Sequence, residues 1–266
     1  MRTPIITLTT DFGLQDPFVA AMKGILLSLA PDALIVDVSH EIPAHDILAG
    51  GFVLARAFPY FPAGTIHVLV VDPGVGTSRP LLLARTQSHF FLGPDNGALC
   101  LPFEVEPPLE LIRLAATHSF LPDPSPTFHG RDILAPVAAR LSQGTPVSDF
   151  GEATRTIVPS PLPSPEPQAD GRLLLRVILA DRFGNLALNL TEKKYREISR
   201  SSKGSGFSLE IGGRTISRLS TTYGESSPGE LLALFDSSGY LEVAVREGSA
   251  AAALGCGRWA VALLTC

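Results

Sequence analysis

Short apolar runs alternate with segments of helical periodicity over the first half of the chain. Residues 5–9, 33–38 and 65–71 are apolar, rich in β-branched side chains and of the length typical of buried strands. Between the first two runs, apolar positions recur at helical spacing over 17–29, and a second helical segment covers 46–58. This alternation predicts parallel strands joined by right-handed crossovers, and hence a layered α/β domain with a mostly parallel sheet.

The pattern changes near residue 158. One more helix is predicted over 131–141, after which residues 158–171 alternate proline with small and polar residues, a composition that predicts a domain linker. Short β-type runs separated by turn residues then predict a small antiparallel barrel or sandwich. These runs cover 173–179, 207–211, 231–235, 240–245 and 260–264. The predicted domains are therefore 1–157 and 172–266.

Composition and charge narrow the classes of partner. The 266 residues carry a formal net charge of −5, so no basic surface for nucleic acid is expected. The run 5–9 is too short for a secretion signal, and glycines interrupt the apolar stretch 250–264, which is predicted to form core strand and turn and not a membrane helix. The three cysteines are odd in number and far apart, which indicates no disulfide framework or metal site and favours a cytoplasmic location.

A carboxylate, a glycine-rich turn and a guanidinium follow the third predicted strand. Asp72 opens the turn, Gly74 and Gly76 lie within it, and Arg79 ends it. Ligands of open α/β sheets bind beyond the carboxyl ends of the strands, where glycines let backbone approach closely. His129 precedes the last helix of the same domain, which favours a shared site. Taken singly, Asp72 fits a turn-forming residue, Arg79 a surface charge and His129 a structural histidine. Their spacing in the sequence alone does not decide between these roles and a shared site.

Other candidate groups also lie at strand ends and turns. Asp11 follows the first strand, where α/β proteins bind the diol of a ribose. Asp16 precedes the first helix and is expected to cap it. In the second half, the turns that contain Asp181 and Ser237 fit hairpin chemistry as well as a site, and Tyr223 fits either an exposed loop or a face for a flat ring. No dinucleotide fingerprint or phosphate-binding loop is present in the sequence.

Seven short motifs run in order through nearly the whole chain. They are Thr10-Asp11-Phe12-Gly13 with Asp16, Val36-Asp37-Val38-Ser39-His40, Asp72-Pro73-Gly74-Val75-Gly76 with Arg79, Gly93-Pro94-Asp95-Asn96-Gly97, Phe128-His129-Gly130-Arg131-Asp132, Phe183-Gly184-Asn185 and Ser238-Gly239-Tyr240-Leu241. Together they resemble the S-adenosyl-L-methionine (SAM) hydrolases, also called SAM hydroxide adenosyltransferases, which are related to fluorinases and chlorinases. The resemblance implies an α/β domain followed by an antiparallel β-barrel-like domain, and a homotrimer with active sites between neighbouring subunits.

The same resemblance implies a reaction and a set of site residues. The expected reaction is hydrolysis of SAM to adenosine and L-methionine by an activated water that attacks the ribose C5′ carbon, with no metal or other cofactor. Asp72, Arg79 and His129 would hold and activate that water. The implied substrate ligands are Asp11 for the ribose diol, Asp16 and Asp181 for the methionine ammonium, Ser237 near its carboxylate, and Asn185, Tyr223 and the backbone around Glu247 for the adenine.

Two alternatives stay open. One is a SAM-dependent halogenase, but the resemblance implies that halogenating relatives carry a tyrosine at the position of Asp72. Fluorinases also place a serine at Gly130 and have an inserted loop for which the segment 79–90 leaves no room. Between Asp181 and the Phe-Gly-Asn motif the chain is one residue shorter than the halogenase pattern. The other alternative is a non-catalytic adenosine or SAM sensor, which would not need the acid–arginine–histidine set.

Overall fold

The chain folds into two compact units. The computed structural model describes residues 3–201 and 206–266. The first unit ends at Pro161 and the second runs from Leu162 to Cys266. Within the described residues, no helix combines the length and the apolar character needed to cross a membrane.

The described part of the first unit is built on a seven-stranded mixed sheet. Its strands are β1 (Ile5–Thr10), β2 (Leu34–Ser39), β3 (Ile66–Val70), β4 (Leu81–Arg85), β5 (Phe90–Pro94), β6 (Glu110–Leu114) and β7 (Gly151–Ala153). Their order is β2-β1-β3-β5-β4-β6-β7, with parallel pairing from β2 to β5 and antiparallel pairing beyond. The predicted α/β class is confirmed, and the three predicted strands form the parallel part next to each other.

Helices cover this sheet and bury the apolar positions that predicted them. They are α1 (Phe18–Leu29), α2 (Ile47–Ala57), α3 (Cys100–Val105) and α4 (Ala135–Ser142), the last preceded by a π-helical turn, Gly130–Leu134. Met22 and Leu26 of α1 lie in one buried cluster with Val68 of β3 and Val137 of α4. Because each of these side chains is inaccessible to water, their burial stabilises the layered arrangement.

The start of α1 differs from the sequence prediction. Asp16 was expected to cap this helix, but the N-cap residue is Pro17, and no side chain among the described residues caps the first turn. The helix begins at Phe18, so Asp16 lies one residue before the cap position and its side chain is exposed to solvent. Asp46, by contrast, caps α2 by accepting a hydrogen bond from the backbone N–H of Ala49 at 2.8 Å.

The described part of the second unit is an antiparallel sheet that nearly closes. Its strands are β8 (Glu166–Pro167), β9 (Leu173–Ala180), β10 (Leu186–Thr191), β11 (Ser208–Ile211), β12 (Arg214–Ile216), β13 (Leu231–Phe235), β14 (Tyr240–Val245) and β15 (Val261–Thr265). The order is β12-β11-β15-β9-β10-β14-β13, and β8 pairs with β9. Just after β12, Ser220 donates its backbone N–H to Ala233 of β13 at 2.7 Å, so the two edges meet. The expected barrel-like domain is confirmed.

Two helices of the second unit were not predicted. In α5 (Glu192–Ser201), Tyr195 and Ile198 lie three residues apart and pack on the core, while the rest of the helix is polar. The helix α6 (Ala250–Leu254) occupies the start of the stretch that was expected to form only strand and turn. That expectation was wrong because a run of alanines, capped by the Ser249 hydroxyl and ended by Gly255 in the left-handed region, favours a helical turn.

Candidate active site

Asp72, Arg79 and His129 are joined by direct hydrogen bonds. Arg79 donates from Nε to Asp72 Oδ1 at 2.7 Å and from Nη2 to Asp72 Oδ2. The same Nη2 lies 2.9 Å from Nδ1 of His129. The side chains of Asp72 and Arg79 are only 7% and 11% exposed, so this ion pair is largely shielded from water. The sequence assigned these three groups to the same domain but did not show that they meet. The structure brings them into direct contact.

The hydrogen bond from Arg79 determines the protonation state of His129. A guanidinium can only donate, so Nδ1 of the imidazole must accept. The neutral ring then carries its proton on Nε2, and no described residue accepts a hydrogen bond from that nitrogen. Burial and the neighbouring Arg79 cation lower the pKa of His129, which favours this neutral form. His129 thus presents an N–H donor, and Arg79 links its ring to the Asp72 carboxylate.

The glycine-rich turn after β3 lets these groups approach one another. Gly76 has a φ of +79°, and a Cβ atom there would lie 2.6 Å from the carbonyl oxygen of Pro126, in the loop that leads to His129. A Cβ atom at Gly74 would lie 3.3 Å from Cγ of Arg79. Side chains at these positions would therefore push apart the turn, the arginine and the histidine loop.

Asn96 is a supporting residue that the sequence reasoning did not assign. Its Nδ2 donates to the carbonyl oxygen of Val71 at 2.8 Å, and its Oδ1 accepts from the backbone N–H of Ala98 at 3.2 Å. Asn96 thereby holds the chain at the residue directly before Asp72. Its place in one of the seven motifs was the signal that could have identified it.

Asp72 and His129 line a pocket of about 220 Å³ together with Asp11. Asp11 Oδ2 accepts a hydrogen bond at 2.8 Å from the backbone N–H of His45, which also lines the pocket. The other carboxylate oxygen of Asp11 accepts no hydrogen bond from any described residue. Asp16 is exposed and is not among the described residues that line this pocket.

Three phenylalanines form an aromatic wall of the same pocket. Phe12, Phe18 and Phe128 all line it, and their ring centroids lie 5.4 to 5.7 Å apart with tilted or edge-to-face geometry. Such contacts hold the rings in defined positions. Sequence reasoning missed this wall, although Phe12 and Phe128 each stand next to a predicted site residue.

A series of polar side-chain contacts supports the end of β1, next to Asp11. His40 Nδ1 lies 2.9 Å from the Thr10 hydroxyl, and the His40 carbonyl oxygen accepts from the backbone N–H of Gly13 at 2.8 Å. His40 Nε2 lies 3.0 Å from Asp37, whose other oxygen accepts from Lys23 at 2.6 Å. These contacts hold the loop that carries Asp11 and give the second motif a structural role.

A second pocket, of about 350 Å³, lies in the C-terminal unit. It is lined by Phe183, Asn185, Tyr223, Val245, Arg246, Glu247 and Gly248, which include three of the predicted adenine-binding residues. Phe183 and Tyr223 are 75% and 44% exposed. Exposed aromatic rings at the wall of a pocket are suited to stacking on a flat ring.

Tyr223 is fixed by a buried carboxylate. Its hydroxyl donates to Oε1 of Glu242 at 2.7 Å, and only 4% of the surface of Glu242 is exposed. Burial and this negative partner raise the pKa of Tyr223, so the phenol stays protonated and keeps donating. Arg246 holds the neighbouring turn by donating to the carbonyl oxygen of Ser226 at 2.7 Å.

Asp181 and Ser237 lie in turns and do not line this pocket. Asp181 accepts hydrogen bonds from the backbone N–H groups of Phe183 and Asn185, both at 2.9 Å, and from the Asn185 side chain at 3.2 Å. Ser237 is exposed in the turn between β13 and β14. Gly184, in the same Phe-Gly-Asn turn as Asn185, has a φ of +82°. A Cβ atom on Gly184 would occupy the space that Ser249 fills, so glycine lets this turn lie close to α6.

No set of three or more His, Cys, Asp and Glu side chains in the described part of the chain has an arrangement that would hold a metal ion.

Comparison with known proteins places both units in one family. The profile of the SAM hydroxide adenosyltransferase N-terminal domain matches residues 6–151, and that of the C-terminal domain matches residues 175–260. The (R)-S-adenosyl-L-methionine hydrolase of Salinispora tropica is 42% identical over 259 residues, which cover 95% of this chain and 94% of that protein. The fluorinase of Nocardia brasiliensis is 29% identical over 284 residues, with 94% and 93% covered.

A solved structure shows the same fold over nearly the whole chain. The crystal structure of an uncharacterized conserved protein from Thermotoga maritima matches with a TM-score of 0.87 at 31% identity, covering 98% of this chain and 100% of that one. Two matched domain profiles, in order, account for most of the sequence. The chain belongs to the SAM hydroxide adenosyltransferase family.

Proposed function

We propose that the protein hydrolyses SAM to adenosine and L-methionine. The observation that carries this proposal is the hydrogen-bonded group of Asp72, Arg79 and His129, of which Asp72 and His129 line a pocket together with Asp11. An acceptor, a cation and a neutral N–H donor meet there, and they are the groups needed to hold and polarise a water molecule. The 42% identity to a protein named as a SAM hydrolase supports the same reaction.

The reaction is a displacement at the ribose C5′ carbon. The water oxygen forms a bond to C5′ while the C5′–sulfur bond breaks, and the electron pair goes to sulfur, so the sulfonium leaves as the neutral thioether of methionine. Bulk water is a weak nucleophile because its pKa is about 15.7. Asp72 accepts the proton that the water loses, and Nε2–H of His129 donates to the water oxygen and orients it. Arg79 offsets the negative charge that develops on the oxygen.

The remaining residues suit the parts of the substrate. Asp11 offers a carboxylate oxygen to the two ribose hydroxyls, which are both donors. Tyr223 and Asn185, with the backbone around Glu247, offer an aromatic face and polar groups to the adenine. Asp16 and Ser237, both exposed, are proposed for the methionine end. The family resemblance is the ground on which a homotrimer with active sites between neighbouring subunits is also proposed.

Two further parts of the proposal concern cofactors and location. The reaction needs no metal or cofactor, because the Arg79 guanidinium supplies the positive charge that a metal ion would otherwise provide. The protein is proposed to reside in the cytoplasm, which the odd number and wide spacing of its cysteines support.

Specific observations favour hydrolysis over halogenation. The Asp72 carboxylate would repel a halide ion from the position where the nucleophile must lie. A Cβ atom at Gly130 would lie 3.2 Å from Val70 and 3.3 Å from Met22, so a serine there would be crowded. β4 and β5 pair directly as a hairpin, which leaves no inserted loop between them.

The test is a product assay with chelator-treated protein in chloride-free buffer. We expect adenosine and L-methionine from SAM with the wild-type protein and at most trace adenosine with Asp72→Asn. Formation of 5′-chloro-5′-deoxyadenosine on addition of chloride would instead support a halogenase. SAM binding without any product, with or without halide, would support a sensor and contradict the proposal.

A further inference from the structure

Asp181 determines which way the amide of Asn185 points. Nδ2 of Asn185 lies 3.2 Å from Oδ2 of Asp181. A carboxylate can only accept hydrogen bonds, so the NH₂ group of the amide must face Asp181 and the oxygen must face away. Among the described residues, none donates a hydrogen bond to Oδ1 of Asn185. The pocket therefore contains an amide oxygen that is available to a ligand.

Asp181 is itself held in place. Its Oδ1 accepts from two backbone N–H groups, those of Phe183 and Asn185, both at 2.9 Å. The backbone of the same turn is closed by hydrogen bonds of 3.0 Å from Gly184 N–H to the Asp181 carbonyl and from Asp181 N–H to the Asn185 carbonyl. The carboxylate cannot rotate away without losing these bonds, so the orientation of the Asn185 amide is built into the hairpin between β9 and β10.

The amide has a defined chemical preference. One N–H of Asn185 Nδ2 is used by Asp181, which leaves Oδ1 as an acceptor beside the second N–H as a donor. Asparagine in this arrangement pairs with the amino group and N7 of adenine. A 6-oxopurine presents two acceptors along that edge, so its O6 would face the amide oxygen. The exposed rings of Phe183 and Tyr223 accept any flat base, and they do not discriminate between the two.

We propose that Asp181 is a positioning residue that orients the Asn185 amide and so makes the pocket select 6-aminopurine over 6-oxopurine nucleosides. The resemblance to the family assigns Asp181 to the methionine ammonium, but its three hydrogen bonds to Phe183 and Asn185 favour this different role. The inference rests on the proposed function for the identity of the base, and it concerns binding, not the chemical step.

Binding of three nucleosides to the wild-type protein tests the orientation without any substitution. By calorimetry we expect affinity to fall in the order adenosine, purine riboside, inosine. Purine riboside lacks only the 6-amino donor, whereas inosine places its O6 against Oδ1 of Asn185. We expect adenosine to bind roughly 10- to 100-fold more tightly than inosine, the range of one good bidentate pair. Inosine binding as tightly as purine riboside, or more tightly, would overturn the proposal.

Asp181→Asn tests the positioning role. Its amide oxygen keeps the two backbone hydrogen bonds of the turn, while its NH₂ group faces Asn185 and requires that amide to turn over. The Asn185 NH₂ group then points at the ligand, so we expect the preference for adenosine over inosine to disappear or reverse. Asp170→Asn, at an exposed carboxylate outside the pocket, should keep the wild-type preference. A folded Asp181→Asn protein with an unchanged adenosine-to-inosine ratio would contradict the proposal.

These experiments separate this proposal from the proposed function. If the wild-type protein hydrolyses SAM but shows no adenosine preference, or one that Asp181→Asn leaves unchanged, the positioning role fails and the reaction stands. If the preference follows the prediction but no adenosine forms from SAM, the reaction fails and the positioning role stands. Should Asp181→Asn not fold, the order of the three nucleosides on the wild-type protein still tests the amide orientation that the proposal requires, and inosine binding as tightly as purine riboside would overturn it.

Discussion

Arg79 and His129 are linked by a hydrogen bond of 2.9 Å that leaves the imidazole neutral, with its proton on Nε2. The same guanidinium holds the Asp72 carboxylate through two of its nitrogens. A single arginine therefore sets the position of the acid and the tautomer of the histidine. This relationship leads directly to the first two predictions.

Replacing Arg79 should reduce turnover more than binding. In Arg79→Lys a single ammonium cannot donate to both Asp72 oxygens and to His129 Nδ1. The carboxylate and the imidazole therefore lose the positions in which they are proposed to hold the water. We expect kcat for adenosine formation to fall roughly 10²- to 10³-fold, as on loss of one charge-stabilising donor, with a smaller change in the Kd for SAM. Arg85→Lys, at an exposed arginine of the same unit, is the matched control. A large loss of affinity with kcat unchanged would argue against a role in the chemical step.

The pH profile should report the neutral state of His129. Protonation would place a second N–H donor on Nδ1 against Arg79, so the active form is the neutral ring. Because burial and Arg79 lower the pKa of His129, activity should persist through neutral pH and decline only below the usual histidine value of about 6.5. In Arg79→Met that depressing charge is removed, so the acid limb of the residual kcat/KM profile should move to higher pH. An acid limb that stays in place would show that another group controls it.

Asp11 should contribute to ribose binding and not to water activation. We expect Asp11→Asn to raise KM for SAM about 10- to 100-fold, the effect of losing a hydrogen bond to a charged acceptor. The 2′-deoxyribose analogue of SAM provides the internal check, because it already lacks one donor. The wild-type protein should bind the analogue less tightly than SAM, whereas Asp11→Asn should discriminate little between them. Equal discrimination by both proteins would remove Asp11 from the ribose site.

Replacing the turn glycine Gly76 should reduce activity as well as stability. Gly76→Ala and Gly64→Ala both place alanine at positive φ, +79° and +89°, so this backbone strain by itself should lower the free energy of unfolding of each by about 1 kcal/mol. Only at Gly76 would the new Cβ atom collide with backbone, at 2.6 Å from the Pro126 carbonyl oxygen. We therefore expect a substantial loss of kcat in Gly76→Ala alone. Equal activities in the two variants would contradict the packing of this turn against the histidine loop.

A buried histidine away from the pocket should make the protein sensitive to acid. His67 is fully buried, its Nε2 has no hydrogen-bond partner among the described residues, and burial lowers its pKa to about 3. Since the unfolded chain binds this proton below about pH 6.5 and the folded chain does not, stability falls as the pH drops from 6.5 towards 3. At pH 5 the loss from this residue is about 2 kcal/mol relative to pH 7.5.

Denaturant unfolding at several pH values checks the role of His67. His67→Phe suits the neighbouring rings of Phe58 and Phe91 and should flatten the dependence of unfolding free energy on pH between 7 and 5. His118→Asn, at an exposed histidine, should leave that dependence unchanged. An unaltered slope in His67→Phe would assign the acid sensitivity to other groups.

The sequence predicted the parts of the fold whose side chains are buried in a regular pattern. β1, β3 and α1 were found because their apolar positions repeat with the period of a strand or helix. β4 and β5 were missed because residues 80–94 read as one apolar stretch interrupted by polar residues. This pattern does not show where one strand ends and the next begins. The polar surface of α5 hid the two positions by which it packs on the barrel.

The candidate site could be predicted only in part. Asp72 and Arg79 are seven residues apart in one turn, so their pairing follows from local sequence. His129 lies 50 residues beyond Arg79, and its hydrogen bond depends on how the sheet folds, which spacing does not reveal. The contact between Asp181 and Asn185 is local, but its consequence for the direction of an amide emerges only when hydrogen bonds are assigned atom by atom.

The most direct test of the account is the source of the oxygen in the product. Chelator-treated protein is incubated with SAM in water enriched in ¹⁸O, and the adenosine is analysed by mass spectrometry. We expect one ¹⁸O atom at the 5′ position with the wild-type protein and no comparable product with Asp72→Asn. Adenosine without the label, or undiminished labelled adenosine from Asp72→Asn, would contradict the proposal that Asp72 activates the water that attacks C5′.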